Sequence, residues 1–208
     1  MRIELAVRDL LLATWPVAVE AVARALPQGL EPAPVDGRHV ATIASFRVER
    51  GRAGRTPAPP FSQLNLRVYT EWEGEPAVFF LLTSVTGGGL PGVFLGAPYR
   101  AARIRVRPGR LVARGLGVSV SYRPDGSGEP GALGRHELGL FRRPGGLGSF
   151  RIVRGAAEWK RAEVEEPVTA DLLVARGLDP TGPPDLLYSE RASFSADRPA
   201  RIVSTKSS

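Results

Sequence analysis

The chain has no cysteine, only two lysines and only two histidines among its 208 residues. Without cysteine there can be no disulfide, no thiolate nucleophile and no cysteine-ligated metal. His39 and His136 lie far apart and neither falls in a metal-ligand spacing such as H-x-x-x-H, so no metal or other cofactor is expected. Long apolar runs are missing as well. Leu10 to Ala13 is brief and follows Arg8 and Asp9, well short of the ~20 residues a membrane-spanning helix needs. A cytoplasmic protein without a signal peptide is the expectation.

What is present is ordinary for a folded globular chain: 43% hydrophobic and 24% charged residues, a balance that argues against disorder or a fibrous repeat. The length suits one core, and the expectation is a single β-rich domain over residues 1–203 with a frayed tail at 204–208.

The net charge of +7 invites a nucleic-acid reading. Two features weaken it. Lys160 and Lys206 are the sole lysines beside abundant Arg, 24 Gly and 19 Pro, a bacterial-type composition that reads as GC-rich coding. The excess is also concentrated in the acid-free run Arg100, Arg103, Arg105, Arg107, Arg110 and Arg114. Arg103, Arg105 and Arg107 share one strand face opposite Ile104 and Val106, which fits the solvent face of an amphipathic strand better than an anion site. Stacking aromatics, which single-stranded nucleic acid requires, are lacking apart from Tyr99.

Periodicity and turn chemistry predict the elements. Residues 3–15 form a mostly apolar segment ending in Thr14-Trp15, and Pro16 opens a helix in which Val19, Val22, Ala23 and Leu26 share a face until Pro27 stops it. Asp36-Gly37 predicts a hairpin turn joining a short extended piece near Leu30 to a strand from His39 to Val48. Residues 50–60, rich in Gly and Pro, read as a loop. Beyond Gly87, a short helical or irregular piece runs through Phe94 and Leu95. Strands follow at 101–107, 110–114 and 117–123, then a loop at 124–131. Residues 132–142 are ambiguous between helix and strand. A strand over 149–160, a helix over 168–176 ended by Gly177 and a strand over 186–195 complete the chain. Many short strands with scattered helices predict a mainly β barrel or sandwich.

Several motifs carry little chemistry. Gly126 to Gly131 satisfies G-x-G-x-x-G, but Pro130 and Gly134 interrupt the helix that a dinucleotide site requires. Gly87-Gly88-Gly89 lacks the Lys of a phosphate loop. Glu71, Glu73 and Glu75, and likewise Glu163, Glu165 and Glu166, read as solvated turns. No nucleophile elbow is present.

The informative stretch is Phe61 to Thr83. Leu64, Leu66 and Val68 alternate with Gln63, Asn65, Arg67 and Tyr69, so four hydrogen-bonding side chains share one strand face. After Glu73-Gly74-Glu75-Pro76, Ala77 to Leu82 has no polar member and reads as a strand covered on both sides. If its neighbour's polar row is covered too, those groups need partners or a ligand, because an unpaired buried polar group costs about 1–3 kcal/mol.

The ordered residues resemble a known group. Leu11 to Val17 (LLATWPV), Leu26 to Leu30 (LPQGL), Asp36-Gly37 with the strand to Phe46-Arg47, Phe61 to Tyr69 (FSQLNLRVY), Phe79-Phe80, Gly96 to Arg103 (GAPYRAAR) and Pro183 to Tyr188 (PPDLLY) look like an uncharacterised branch of the acetoacetate decarboxylase-like superfamily. The resemblance covers nearly the whole chain. It implies a cone-shaped β-barrel with a few peripheral short helices, whose interior pocket binds a small organic molecule. Catalytic members place a Schiff-base lysine just after a Gly-x-Pro turn and a glutamate on a nearby strand. Here the first position corresponds to Tyr99 or Arg100 and the second to Gln63. Schiff-base chemistry needs a neutral amine; arginine is not deprotonated in proteins, and tyrosine forms no iminium.

The expected ligand-binding set is therefore Gln63, Asn65, Arg67, Tyr69, Tyr99, Arg100 and Arg103, with no catalytic residue assigned. Arg67 or Arg103 would meet an anionic group, Gln63 and Asn65 would orient it, and Tyr99 would donate a hydrogen bond or act as a weak acid. Two alternatives stand beside this. The polar row could be an internally satisfied network, and the chain could be a structural or homo-oligomeric interaction module. Lyase or hydrolase activity through Tyr99 stays open, and nucleic-acid binding is the weakest reading.

Overall fold

The computed structural model describes residues 2–87, 99–144, 146–197 and 201–203. In chain order its elements are β1 (Arg2–Pro16), α1 (Val19–Ala25), β2 (Glu31–Pro32), β3 (Val40–Ala53), β4 (Thr56–Ala58), β5 (Phe61–Trp72), β6 (Glu75–Val85) and β7 (Tyr99–Ala101). Then follow β8 (Arg105–Arg107), β9 (Arg110–Ala113), β10 (Val118–Asp125), β11 (Leu138–Arg143), β12 (Gly146–Arg154), β13 (Lys160–Val164), β14 (Thr169–Ala170), α2 (Asp171–Val174), β15 (Asp185–Asp197) and β16 (Arg201–Val203).

Seven strands close on themselves in the order β1, β3, β5, β6, β11, β12, β15 and back to β1. All neighbours in this ring are antiparallel except β6 and β11, whose parallel pairing follows from the long excursion between them. Closure removes the sheet edge that would otherwise invite pairing with another chain. β15 makes the cone possible. On the edge away from β1 its C-terminal half pairs with β12, while Tyr188, Leu187 and Leu186 pair with β13. From β13 a second layer of β10, β9 and β8 peels away from the ring.

The main core lies between this layer and the outer wall of the barrel. Leu11, Ile43, Leu64, Leu66 and Val68 of the wall meet Leu111, Val120, Tyr122 and Leu173 there, with Val22 of α1. The helix buries Ala21 and Val22, with Leu26 at its end, whereas Val19 and Ala23, expected on the same face, are exposed along with Glu20 and Arg24. No helix among the described residues is long and apolar enough to cross a membrane.

Two hairpin turns match their sequences closely. Asp36 and Gly37 have φ of 47° and 80°, and Glu73 and Gly74 have φ of 52° and 78°. Both pairs lie in the left-handed region that a two-residue turn with right-twisted arms demands. The first turn nevertheless joins different partners from those expected: Val35 bridges Arg38, whereas the extended piece Glu31–Pro32 pairs with β5, not β3.

Other expectations change for similar reasons. Residues 50–60 are not a plain loop, since β3 runs on to Ala53, turns at Gly54 and pairs with β4. Pro57 is tolerated because β4 is an outer strand with no second neighbour to accept from it. The strand expected over 149–160 breaks into β12 and β13, which pair with different parts of β15. The helix expected over 168–176 shrinks to α2, preceded by β14. Residues 132–142 resolve into a short 3-10 turn and β11. The piece through Phe94 and Leu95, the turn Gly96-Ala97-Pro98 and the tail 204–208 lie outside the described residues.

Candidate functional site

β5 carries its two faces into different environments. Leu64, Leu66 and Val68 are fully buried in the main core. The alternate residues Gln63, Asn65, Arg67 and Tyr69 turn into the barrel and are buried as well, at 6%, 5%, 6% and 1% exposure. A hydrogen-bonded wall with apolar matter on one side leaves the pleat no other choice. On β3 the facing residues are Phe46, Ala44 and Thr42. On β6 a bulge at Leu81 shifts the register so that Thr83 faces Asn65 and Phe80 faces Arg67.

This face borders a partly open cavity of about 630 Å³ whose lining extends beyond the barrel interior, within the 300–1,000 Å³ range usual for pockets that hold small molecules. Gln63, Asn65, Arg67, Thr83, Tyr99 and Arg100 line it, together with Phe46, Phe80, Phe141, Phe150, Phe194 and Trp159. Its lining also includes Ala25 and Arg176, outside the barrel wall. Gly139 fits the aromatic group because a Cβ there would come within 2.8 Å of Phe150 and 3.0 Å of Phe80.

The polar groups are only partly satisfied. Gln63 Nε2 donates to Asn65 Oδ1 at 3.0 Å, while Gln63 Oε1 is buried without a partner. The Tyr69 hydroxyl bonds Thr42 Oγ1 at 2.9 Å, and Thr42 bonds Thr14 at 3.0 Å. The Arg67 guanidinium lies 5.8 Å from the centre of the Tyr69 ring, and its Nε has no partner. Arg154, on β12, reaches toward the same region and donates from Nη1 to the Gly134 carbonyl at 2.5 Å. Burial, and next the charge of Arg67, push its pKa down to about 10, which still leaves a cation at neutral pH. Neither Arg67 nor Arg154 takes part in any ion pair among the described residues. Asp197 is the one carboxylate among the described lining residues, against Arg67, Arg100, Arg142, Arg154 and Arg176.

Below this pair the barrel is plugged by His136, Val35, Val40 and Leu133. The His136 ring meets Tyr69 edge-on at 4.9 Å, and its Nδ1 donates to the Ala132 carbonyl at 2.8 Å. Burial first, then the neighbouring Arg67, Arg154 and Arg135, hold its pKa below the usual histidine value. Tyr99 borders the cavity through the pairing of β7 with β6 at Thr83. Burial pushes its phenol well above the usual tyrosine range, so at neutral pH it is a hydrogen-bond donor and not a base.

Of the seven residues singled out in sequence, five line the cavity: Gln63, Asn65, Arg67, Tyr99 and Arg100. Tyr69 lies behind the lining, tied to Thr42. Arg103 does not border the cavity: the strand expected over 101–107 is interrupted at 102–104, and in that connection into β8 Arg103 is exposed while Ile104 beside it is buried. The sequence reading did not single out Arg154, Arg142 or the aromatic group. The alternation Phe150, Ile152, Arg154 was a usable signal, since it repeats the pattern of β5 with an Arg at its end. Lys160 pairs with Tyr188 and is not a lining residue, and Lys206 lies outside the described residues. Among the described residues no group of three metal-ligating side chains converges.

A closed seven-stranded β-barrel of this topology is the acetoacetate decarboxylase-like fold. The chain is similar over 98% of its length to acetoacetate decarboxylase from Legionella pneumophila, covering 88% of that chain with a TM-score of 0.66 at 11% identity. It is similar over its whole length to the enduracididine biosynthesis enzyme MppR complexed with pyruvate, covering 92% of that chain with a TM-score of 0.62 at 18% identity. Residues 4–192 match the DUF2071 family, described as an uncharacterized conserved protein, and the chain belongs to that family. One relative, the uncharacterized protein YqjF of Bacillus subtilis, is 33% identical over 76 residues, a stretch of 35% of this chain and 31% of that protein.

Proposed function

We propose that the chain, read as one domain over residues 1–203, binds a small anionic organic molecule in the lumen of its barrel and performs no Schiff-base decarboxylation. The observation that carries this reading is Arg67: a guanidinium nine-tenths buried, bordering a cavity, with Nε unpartnered and no carboxylate paired to it among the described residues. A buried charge left without a counter-ion is costly, so an anion entering the cavity gains more than it would at the surface. Arg154 adds a second positive charge from the opposite strand, and Tyr99 a donor. The fork geometry of guanidinium suits carboxylate or phosphate. That MppR has been seen with pyruvate agrees with a small acid as the kind of occupant.

The second half is supported by the absence of lysine from the described lining residues, where Tyr99 and Arg100 follow the Gly-x-Pro sequence. Two measurements test the two halves. A thermal-shift screen against organic acids is expected to raise the melting temperature, by an amount equivalent to about 2.7 kcal/mol at a ligand concentration a hundred times Kd. Arg67→Met abolishes that shift; an unchanged shift would refute the role given to Arg67. Borohydride reduction in the presence of a β-keto acid, read by intact mass, is expected to leave the protein unmodified, and a stable adduct on Lys160 or Lys206 would overturn the second half.

A further inference from the structure

The occupant can be specified further, on the footing of the anion-binding reading above. We propose that the cavity takes an acid with an aromatic body and a hydrogen-bond donor at the end remote from its carboxylate. Arg67 and Arg154 hold the head, and Gln63 Oε1 accepts from the tail.

Three observations converge on this ligand. The first is length: Arg67 and Gln63 both border the cavity from positions four residues apart on β5, a separation that a three- or four-carbon acid does not span. The second is the wall. Phe80 and Phe150 stack at 5.6 Å with 26° between their planes, and Phe141 meets Phe150 at 5.8 Å and 50°. Across the lumen, Phe46 and Phe194 sit 5.7 Å apart. Aromatic walls favour offset-stacked or edge-on contact with another ring.

The third is the state of Gln63. Its amide is fixed by the bond from Nε2 to Asn65 Oδ1, which leaves Oε1 buried, bordering the cavity and without a partner. An acceptor in that state is completed by a ligand O–H or N–H, and a ligand lacking one leaves it orphaned. Gln63 and Arg67 are four residues apart on one strand, about 13 Å between Cα atoms at ~3.3 Å per residue. The two ends of the ligand are therefore read by separate groups, with Phe80 level with Arg67 and Phe46 level with Gln63.

Isothermal titration of the full chain with four probes tests this: phenylpropionate, its para-hydroxy derivative, the para-hydroxy amide, and pyruvate. The para-hydroxy acid is expected to bind tightest, about tenfold tighter than phenylpropionate and more than tenfold tighter than pyruvate, the step that one good hydrogen bond supplies. In Gln63→Leu the advantage of the hydroxyl disappears while phenylpropionate still binds; Gln63→Met serves if the leucine variant does not fold. The ranking in the unaltered protein stands as a test without either variant. Pyruvate binding as tightly as the aryl acids overturns this inference and leaves the anion reading intact. The amide binding as tightly as its acid overturns the anion reading. Equal affinity of the two aryl acids in the unaltered protein overturns the role of Gln63, and no binding by any probe overturns both readings.

Discussion

Gln63 and Asn65 are locked together inside the barrel, the amide Nε2 of one donating to Oδ1 of the other at 3.0 Å across a single turn of the pleat. Removing either partner strands the other in a buried site. Asn65→Leu and Gln63→Leu are each expected to lower unfolding free energy by about 1–3 kcal/mol. The double variant loses clearly less than the sum, because the second change removes a group already orphaned. Urea denaturation of the four proteins measures this, and strict additivity would show the two amides to be uncoupled.

Tyr69 shares the strand face but not the cavity. Its hydroxyl ends the chain of bonds through Thr42 to Thr14, while its ring lies under Arg67 and against His136. Tyr69→Phe keeps the ring and deletes the bond, so stability should drop by about 0.5–1.5 kcal/mol. Affinity for organic acids should stay within twofold. A large affinity loss with unchanged stability would mean that the hydroxyl meets ligand after all.

His136 sets a pH dependence whose direction follows from its environment. Burial and three nearby arginines hold its folded pKa below the ordinary value of 6.5, so the folded protein keeps the ring neutral while the unfolded chain takes up a proton first. Its contribution to stability is complete above about pH 6.5 and is lost as pH falls from there through the folded pKa, at no more than ~1.4 kcal/mol per pH unit. Melting curves of the protein and of His136→Gln, measured between about pH 5 and 8, should converge at the acid end. Parallel curves would remove His136 as the cause.

Asp9 lies outside the cavity, on β1 where the register with β3 slips. Its backbone is left-handed, φ 54°, its carboxyl is buried, Tyr188 donates to Oδ1 at 3.1 Å and Arg47 stands 3.7 Å from Oδ2. Burial raises its pKa more than the Tyr188 bond, Arg47 and Arg8 lower it, with Glu190 adding to the rise. A raised folded pKa stabilises below the unfolded value of 3.8 and loses that stabilisation as pH rises through the folded pKa. Asp9→Asn, which tolerates the left-handed backbone and still accepts from Tyr188, should therefore raise the melting temperature at neutral pH, with the gain vanishing near about pH 4. Asp9→Ala should destabilise by about 1–3 kcal/mol, since it loses both features. A neutral or destabilising asparagine at pH 7 would show that the Arg47 contact outweighs burial.

Local chemistry made much of this legible in advance. Asp36-Gly37 and Glu73-Gly74 announced their turns because few residue pairs accept two consecutive positive φ angles. The alternation of β5 announced a polar face of Gln63, Asn65, Arg67 and Tyr69 because side chains alternate strictly along a strand. Residues 50–60 and the break after Arg154 were not legible, since both depend on which neighbour a strand finds. Pro57 is acceptable only because β4 lies outside the ring, and β12 ends where β15 passes to β13. Arg103 stood beside Arg67 as a candidate for meeting an anion although its own row fitted a solvent face better, and it is exposed where Arg67 is buried.

Which side chains share a strand face, and how few amines exist to act as a nucleophile, are already set in the linear chain, because composition and a two-residue period are local properties. Only the tertiary structure decided that the face opens on a cavity, that Arg154 joins Arg67 there, and that Phe80, Phe141 and Phe150 form its wall. Closure of seven strands into a ring sets inside against outside, and that distinction arises from pairings between residues far apart in the chain, which no local pattern encodes.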